Sequence, residues 1–290
     1  MKKFLSVLLV LLFLVSSACA EGELRGYSEE GGYVYVLFGR YQQSIDGGVP
    51  DDGNQAWKWR KMHQDYKKKS KGKDFDPGEL QKDPILWRVL SADEEKIFLL
   101  SEFILFSMPI HASGKEYSKI RTDFTKTELW AELNGPFAAE AFTEEESAML
   151  VDTPELGKVF IPSSSEVSDP ALGFAAKSNT KIWVSGERKS LNTTRRAWAT
   201  EYAIRVTHAF VYGSDWGNHS PYWMRDECKI KGSKPSQAYC TKQDGSIGFY
   251  ASSNPEEGAR PAVYLDPSAY QVESGSGTRE DPYVIVPAAP

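Results

Sequence analysis

The sequence predicts an α+β fold, a single domain of short, mainly antiparallel strands with a few helices in the middle. Three observations carry this. Short β-rich runs recur from Tyr33 to Val286, turn-forming Gly, Pro and Asp separate them, and the two stretches with helical spacing lie together between Lys126 and Leu150.

Lys2 and Lys3 precede an apolar run from Phe4 to Val15 that ends in small residues. This is the pattern of a secretory signal peptide over residues 1–20, and the run is shorter than the roughly 20 residues a membrane-spanning helix needs. Cleavage after Ala18-Cys19-Ala20 and cleavage before Cys19, which would leave that cysteine lipidated, are both open readings. Residues 21–32 read as a linker, 33–286 as the globular domain and 287–290 as a tail. Tyr33 to Phe38 is the first strand; Ile85 to Leu90 and Lys96 to Ser101, joined by the acidic turn Asp93-Glu94-Glu95, form a hairpin. Between them, residues 44–83 are rich in Gly, Asp and Lys and read as a loop-rich insertion, with Trp57 and Trp59 packing back on the body. Its Lys67-Lys68-Lys69-Ser70-Lys71-Gly72-Lys73 cluster reads as solvated, with a polyanion contact as the sharper alternative. Lys126 to Leu133 and Thr143 to Leu150 are the helices, the second opened by Thr143 with Glu146 at the position that completes a capping box. Lys158–Ile161, Lys181–Val184, Tyr222–Arg225, Ser246–Tyr250, Ala262–Leu265 and Tyr283–Val286 complete the strands, and the first and last of all are expected in one antiparallel sheet.

Hydrophobic residues make up 41% and aromatics 12% of the chain, enough for a substantial core. The net charge is −6, and loss of Lys2 and Lys3 makes the mature chain more acidic still, so nucleic acid is excluded as a partner. Cys228 and Cys240 remain after the leader and flank a turn-forming Gly-Ser-Lys-Pro-Ser segment. A disulfide is the expected reading, closing a loop at a gain of roughly 3 kcal/mol, with a redox pair as the alternative.

In chain order stand Phe38-Gly39-Arg40-Tyr41-Gln42-Gln43, Pro84-Ile85-Leu86-Trp87-Arg88-Val89-Leu90, Leu133-Asn134 with Phe137, and Ala141-Phe142-Thr143-Glu144-Glu145-Glu146. Lys158-Val159-Phe160-Ile161-Pro162-Ser163 with Glu166, Thr200-Glu201-Tyr202-Ala203, Tyr222-Trp223-Met224-Arg225 and Ala259-Arg260-Pro261-Ala262 follow. This series resembles the bacterial family called domain of unknown function 6273, found in exported and surface proteins. It departs from the family's pattern at Leu129-Trp130-Ala131-Glu132, where the family has Leu-Arg-x-Trp, and at Asp226, where it has serine. The pairing of a Trp-x-Arg strand with a later Gly-x-Arg strand is similar, more loosely, to formylglycine-generating-enzyme and C-type-lectin-like folds. The resemblance implies an exported bacterial surface domain, and for the looser pair a lectin-like architecture.

No catalytic signature is present. His63, His111, His208 and His219 share no ligand spacing, and no nucleophile elbow, phosphate loop or dinucleotide fingerprint occurs, so neither metal nor cofactor is expected. The richest recognition chemistry lies between Tyr212 and Arg225, with Asp215, Trp216, Asn218, His219, Tyr222 and Arg225 as binding candidates: aromatic faces stack while polar groups orient. Trp223 is read as core. Arg260 is read as a strut and Pro261 as a strand entry, because proline fixes φ and removes a ladder donor. The preferred function is a non-catalytic recognition module for an extracellular glycan, cell-wall polymer or surface protein, touching a membrane only through the leader or a lipid on Cys19. A purely structural surface domain and a distant formylglycine-generating-type oxidase are the alternatives.

Overall fold

The computed structural model describes residues 24–45, 53–78 and 80–289; the leader, 1–20, and Cys19 lie outside the described residues. The strands are β1 (Val34–Ser44), β2 (Gln81–Ala92), β3 (Ile97–Ser101), β4 (Phe106–Ser107), β5 (Val159–Phe160), β6 (Thr180–Val184), β7 (Glu187–Leu191), β8 (Gln237–Thr241), β9 (Ile247–Ala251), β10 (Gly258–Ala259), β11 (Ala262–Leu265), β12 (Tyr270–Ser274) and β13 (Tyr283–Pro287). The helices are α1 (Gly53–Lys69), α2 (Gly114–Ile120), α3 (Glu128–Glu132), α4 (Ala138–Ala141), α5 (Glu144–Ala148) and α6 (Glu201–Arg205), with a π-helical stretch, Leu133–Phe137, between α3 and α4.

One sheet runs in the order β12-β13-β1-β2-β3-β11-β5. The alternation Val34, Val36, Phe38 turns one face of β1 inward, and β3 is buried along its whole length between β2 and β11. Trp87, fully buried on β2, donates from its indole nitrogen to Phe38 O at 2.8 Å, so the largest core side chain also satisfies its one donor. The middle helices cap the core: Tyr41 packs against Phe106, Phe137 and Tyr202 with ring centroids 4.8–6.2 Å apart, and Thr143 and Glu146 form the capping box of α5. Mixed α and β structure, mostly antiparallel strands and few helices thus form one domain. Two-stranded sheets β4–β10, β6–β7 and β8–β9 lie beside the main one.

Several expectations are corrected. The first and last strands are neighbours, but β1 and β13 run parallel, with Val36 opposite Tyr283 and Leu37 opposite Val284. The unforeseen β12 lies antiparallel to β13 on the outer edge, and the return from it turns β13 in the direction of β1. The 44–83 insertion is not loop-rich: α1 occupies its centre, with Ala56 and Trp59 buried one turn apart, and Lys67, Lys68 and Lys69 complement the carbonyl end of the helix. The described part of the presumed linker packs on the body, with Leu24 buried and Tyr27 N donating to Leu90 O at 3.1 Å. The presumed tail also starts inside structure, since β13 extends through Pro287. Tyr222–Arg225 is not a strand; it makes only isolated bridges, Tyr222 with Gly258 and Trp223 with Cys240.

Candidate functional site

The segment from Phe210 to Arg225 follows α6 and splits into two environments. Its middle is a short 3-10 turn, Ser214–Trp216, closed by Gly217 (φ 76°) and Asn218 (φ 55°). The positive φ favours glycine at 217, and a Cβ there would displace the Arg196 guanidinium. Arg196 donates to Trp216 O and, from Nε at 2.9 Å, to Nδ1 of His219. Nδ1 also lies 2.7 Å from Trp216 O, so it stands between a guanidinium donor and a carbonyl acceptor, while Nε2 is buried with no hydrogen-bond partner. Burial first, and the Arg196 charge second, push the His219 pKa down to about 3, so this imidazole is neutral.

The binding candidates therefore divide as follows. Asn218, His219 and Tyr222 are buried, and the Tyr222 hydroxyl donates to Arg195 O at 2.9 Å. Arg225 is held bidentately by Glu166 at 2.6 and 2.5 Å and donates to Ile161 O at 2.8 Å; its chain neighbour Asp226 accepts from Ser164 N at 2.6 Å. Asp215 is exposed and Trp216 half-buried, both on the turn. None of the six lines the cleft described below.

Trp223 is fully buried, and its indole donates to Met108 O at 2.8 Å. Arg260 is likewise fully buried, donates from Nε to Ser101 O at 2.8 Å and lies over the Tyr222 ring at 5.4 Å, near the Arg88–Glu102 ion pair. Pro261 stands at the change of partners from β10, which pairs with β4, to β11, which pairs with β3. Cys228 and Cys240 are free thiols here, not the expected disulfide. Cys240 sits inside β8 opposite Gly248, buried like a small apolar side chain, while Cys228 is half-exposed in the loop that precedes β8; burial and the nearby Glu257 carboxyl push the Cys240 thiol up.

The second environment is a cleft of about 400 Å³ lined by Phe210, Tyr212, Pro221, Tyr250, Ala251, Asn254, Glu256 and Glu257. Backbone bonds fix its aromatic wall: Phe210 N donates to Glu256 O and Tyr212 N to His219 O, each at 2.9 Å, and the two rings meet edge to face at 5.2 Å. Tyr250, on β9, is 45% exposed, an open aromatic side chain at the mouth. Glu257, immediately before β10, is 2% exposed. Its Oε1 accepts from Asn254 Nδ2 at 3.2 Å, whereas Oε2 has no hydrogen-bond partner. Burial pushes its pKa up to about 8 against the opposing charge of Lys242, so at neutral pH it is a carboxylic acid with an O–H to donate. Lys242 is itself engaged, donating to Phe249 O at 2.7 Å with its ammonium 3.7 Å from the Tyr250 ring centroid.

Across Phe210 and Glu256, a second cavity of about 240 Å³ is lined by Arg60, His63, Lys67 and His208 among others. The His63 and His208 rings, distant in sequence, lie 4.8 Å apart, and burial lowers both pKa values. Among the described residues no group of three or more His, Cys, Asp or Glu is placed to hold a metal, and no helix is long and apolar enough to cross a membrane.

Tyr212 and Pro221 were within the stretch that sequence composition picks out; Tyr250 and Glu257 were not. A period-two pattern places Tyr250 on one face of its strand, but nothing in Asn254-Pro255-Glu256-Glu257 marks which glutamate is buried. Comparison with known proteins finds no matching family model, no matching curated protein and no matching solved structure. The chemistry of the cleft rests on its own residues.

Proposed function

We propose that the protein is an exported, non-catalytic recognition module that binds a neutral sugar ring of an extracellular or cell-wall glycan in the Phe210–Tyr212–Tyr250–Glu257 cleft. The observation that carries the reading is the buried Glu257 carboxyl, with one oxygen uncommitted, beside an aromatic wall. Aromatic faces gain by covering the C–H face of a sugar, while an un-ionised carboxyl can donate to a hydroxyl oxygen without an unpaired buried charge. The signal-peptide pattern, and the resemblance to a family of exported domains, support placing that work outside the cell. A lectin-like architecture belongs to the same proposal. The oxidase alternative gains nothing from the cleft, whose residues include no cysteine.

The test is retention of the processed chain on immobilised neutral polysaccharides and cell-wall material, beside Tyr250→Ala and Glu257→Gln. Retention at pH 7 on at least one glycan should be lost in Tyr250→Ala and kept in Glu257→Gln, whose amide still donates. Raising the pH through about 8 ionises Glu257 and removes its donor. Binding by the native chain should then weaken, and binding by Glu257→Gln should not. Retention on nothing, or retention indifferent to Tyr250→Ala, would overturn the proposal.

A further inference from the structure

The β6–β7 hairpin carries chemistry that the cleft does not use. Its strands pair Lys181 with Ser190, Ile182 with Lys189, Trp183 with Arg188 and Val184 with Glu187, around the tight turn Ser185-Gly186, where φ is 50° and 81°. Directly opposed residues share a face and alternate faces along a strand. Val184 and Leu191 are buried at 7% and 2%, so their face packs on the body. The opposite face presents Lys181, Trp183, Arg188 and Ser190 to solvent.

Trp183 is 72% exposed, the most exposed large apolar side chain among the described residues. Burying an indole is a strong driving force, and folding leaves this one in water. The only carboxylate of the hairpin, Glu187, is on the other face and is engaged by Lys189. The outward face therefore holds two cations and one indole with no acid, on a chain whose net charge is −6.

We propose that this face is a peripheral docking surface for an anionic lipid bilayer, with Trp183 seated at the headgroup level and Lys181 and Arg188 on the lipid phosphates. The combination fits that partner on three grounds. An indole is amphipathic and settles at the membrane–water interface, a two-stranded tip projects a ring without enclosing it, and basic side chains beside it complement a negative headgroup layer. The contact is separate from the leader and from any lipid on Cys19, and it would orient a tethered domain on its membrane. It stands independently of the glycan reading.

The experiment is co-sedimentation of the processed full chain, as recovered from the exporting cell, with phosphatidylcholine vesicles and with vesicles containing one-third phosphatidylglycerol. A lipid tether or residual leader acts on both kinds, so the readout is the anionic-over-neutral ratio. That ratio should exceed about tenfold at low salt, fall in 0.5 M NaCl, and fall about fivefold for each of Lys181→Glu and Arg188→Glu. Trp183→Ala should weaken binding to anionic vesicles, Trp183→Tyr should retain most of it, and the melting temperatures of all variants should match the native chain because these side chains are exposed. A ratio near one, or binding to anionic vesicles unmoved by Trp183→Ala, would overturn the lipid assignment.

Discussion

The turn from Ser214 to His219 and the cleft around Tyr212 and Glu257 lie side by side on one segment, yet they differ in how their polar groups are used. In the turn, Arg196 reaches both Trp216 O and His219, and a few residues later Glu166 takes both arms of Arg225. These groups answer one another, and the atoms of the turn left without a partner, Asn218 Oδ1, His219 Nε2 and Ser220 Oγ, are buried outside the cleft. In the cleft, an aromatic side chain is left open and a buried carboxyl keeps one oxygen uncommitted. A concentration of Asp, Trp, Asn, His and Tyr in sequence thus marks a demand for hydrogen bonds. Whether protein or ligand meets the demand depends on residues from elsewhere.

The largest expected effect is on the closed side. Arg225→Ala leaves the Glu166 carboxylate without its bidentate partner and strands Ile161 O, which should cost about 3 kcal/mol, measured as a shift in denaturant midpoint at constant slope. A loss below about 0.5 kcal/mol would mean that water replaces the arginine freely and that this side is as open as the cleft.

Next come two pH effects of opposite sign. Glu257 binds its proton more tightly in the folded chain, about 8 against an ordinary 4.5, so its contribution is full below 4.5 and is lost as pH rises to about 8. His219 is the reverse, about 3 against 6.5, so its contribution is full above 6.5 and is lost as pH falls toward 3. Each limb should amount to about 2 kcal/mol, less than the displacement alone implies because water can relax around a newly formed charge. Stability measured from pH 3 to 9 should therefore decline on both sides. Glu257→Gln should flatten the alkaline limb, and His219→Gln, which keeps an acceptor for Arg196, should flatten the acid limb. If Glu257→Gln leaves the alkaline limb unchanged, the carboxyl is not held un-ionised and the contrast between cleft and turn fails.

Much of the frame was legible, for local reasons. β-branched and aromatic runs marked β1, β2, β3, β11 and β13, and the capping box of α5 is written in four consecutive residues, Thr143 to Glu146. The helix α1 was obscured by its lysines and by the glycines and acids of the stretch around it, which read as solvated loop, while its packing against α6 is long-range. β12, Tyr270-Gln271-Val272-Glu273-Ser274, alternates over only five residues and β8 hardly alternates at all, and both are fixed by their hairpin partners. The site was less legible than the fold. Cys228 and Cys240 suggested a staple by count and spacing, but the β8 register turns one thiol into the core. Glu257 acquires its character only from the burial that surrounds it, and no residue count records that.

The smallest effect on stability is the sharpest on function. Tyr250 is 45% exposed on β9, and its ring meets the Lys242 ammonium rather than the interior. Truncating it opens no core cavity, so Tyr250→Ala should change unfolding free energy by no more than about 0.5 kcal/mol. The same ring offers a stacking face, and such a contact is worth roughly 0.5–1.5 kcal/mol, so glycan affinity should fall up to about tenfold. His219→Gln should do the opposite, lowering stability while leaving binding nearly intact, since the imidazole lies outside the cleft. Thermal unfolding and affinity measured on both variants give a crossed pattern if the two environments have separate tasks. Parallel losses in both variants would mean that the turn and the cleft act as one unit, with the ligand felt through the Tyr212–His219 ring contact at 5.2 Å.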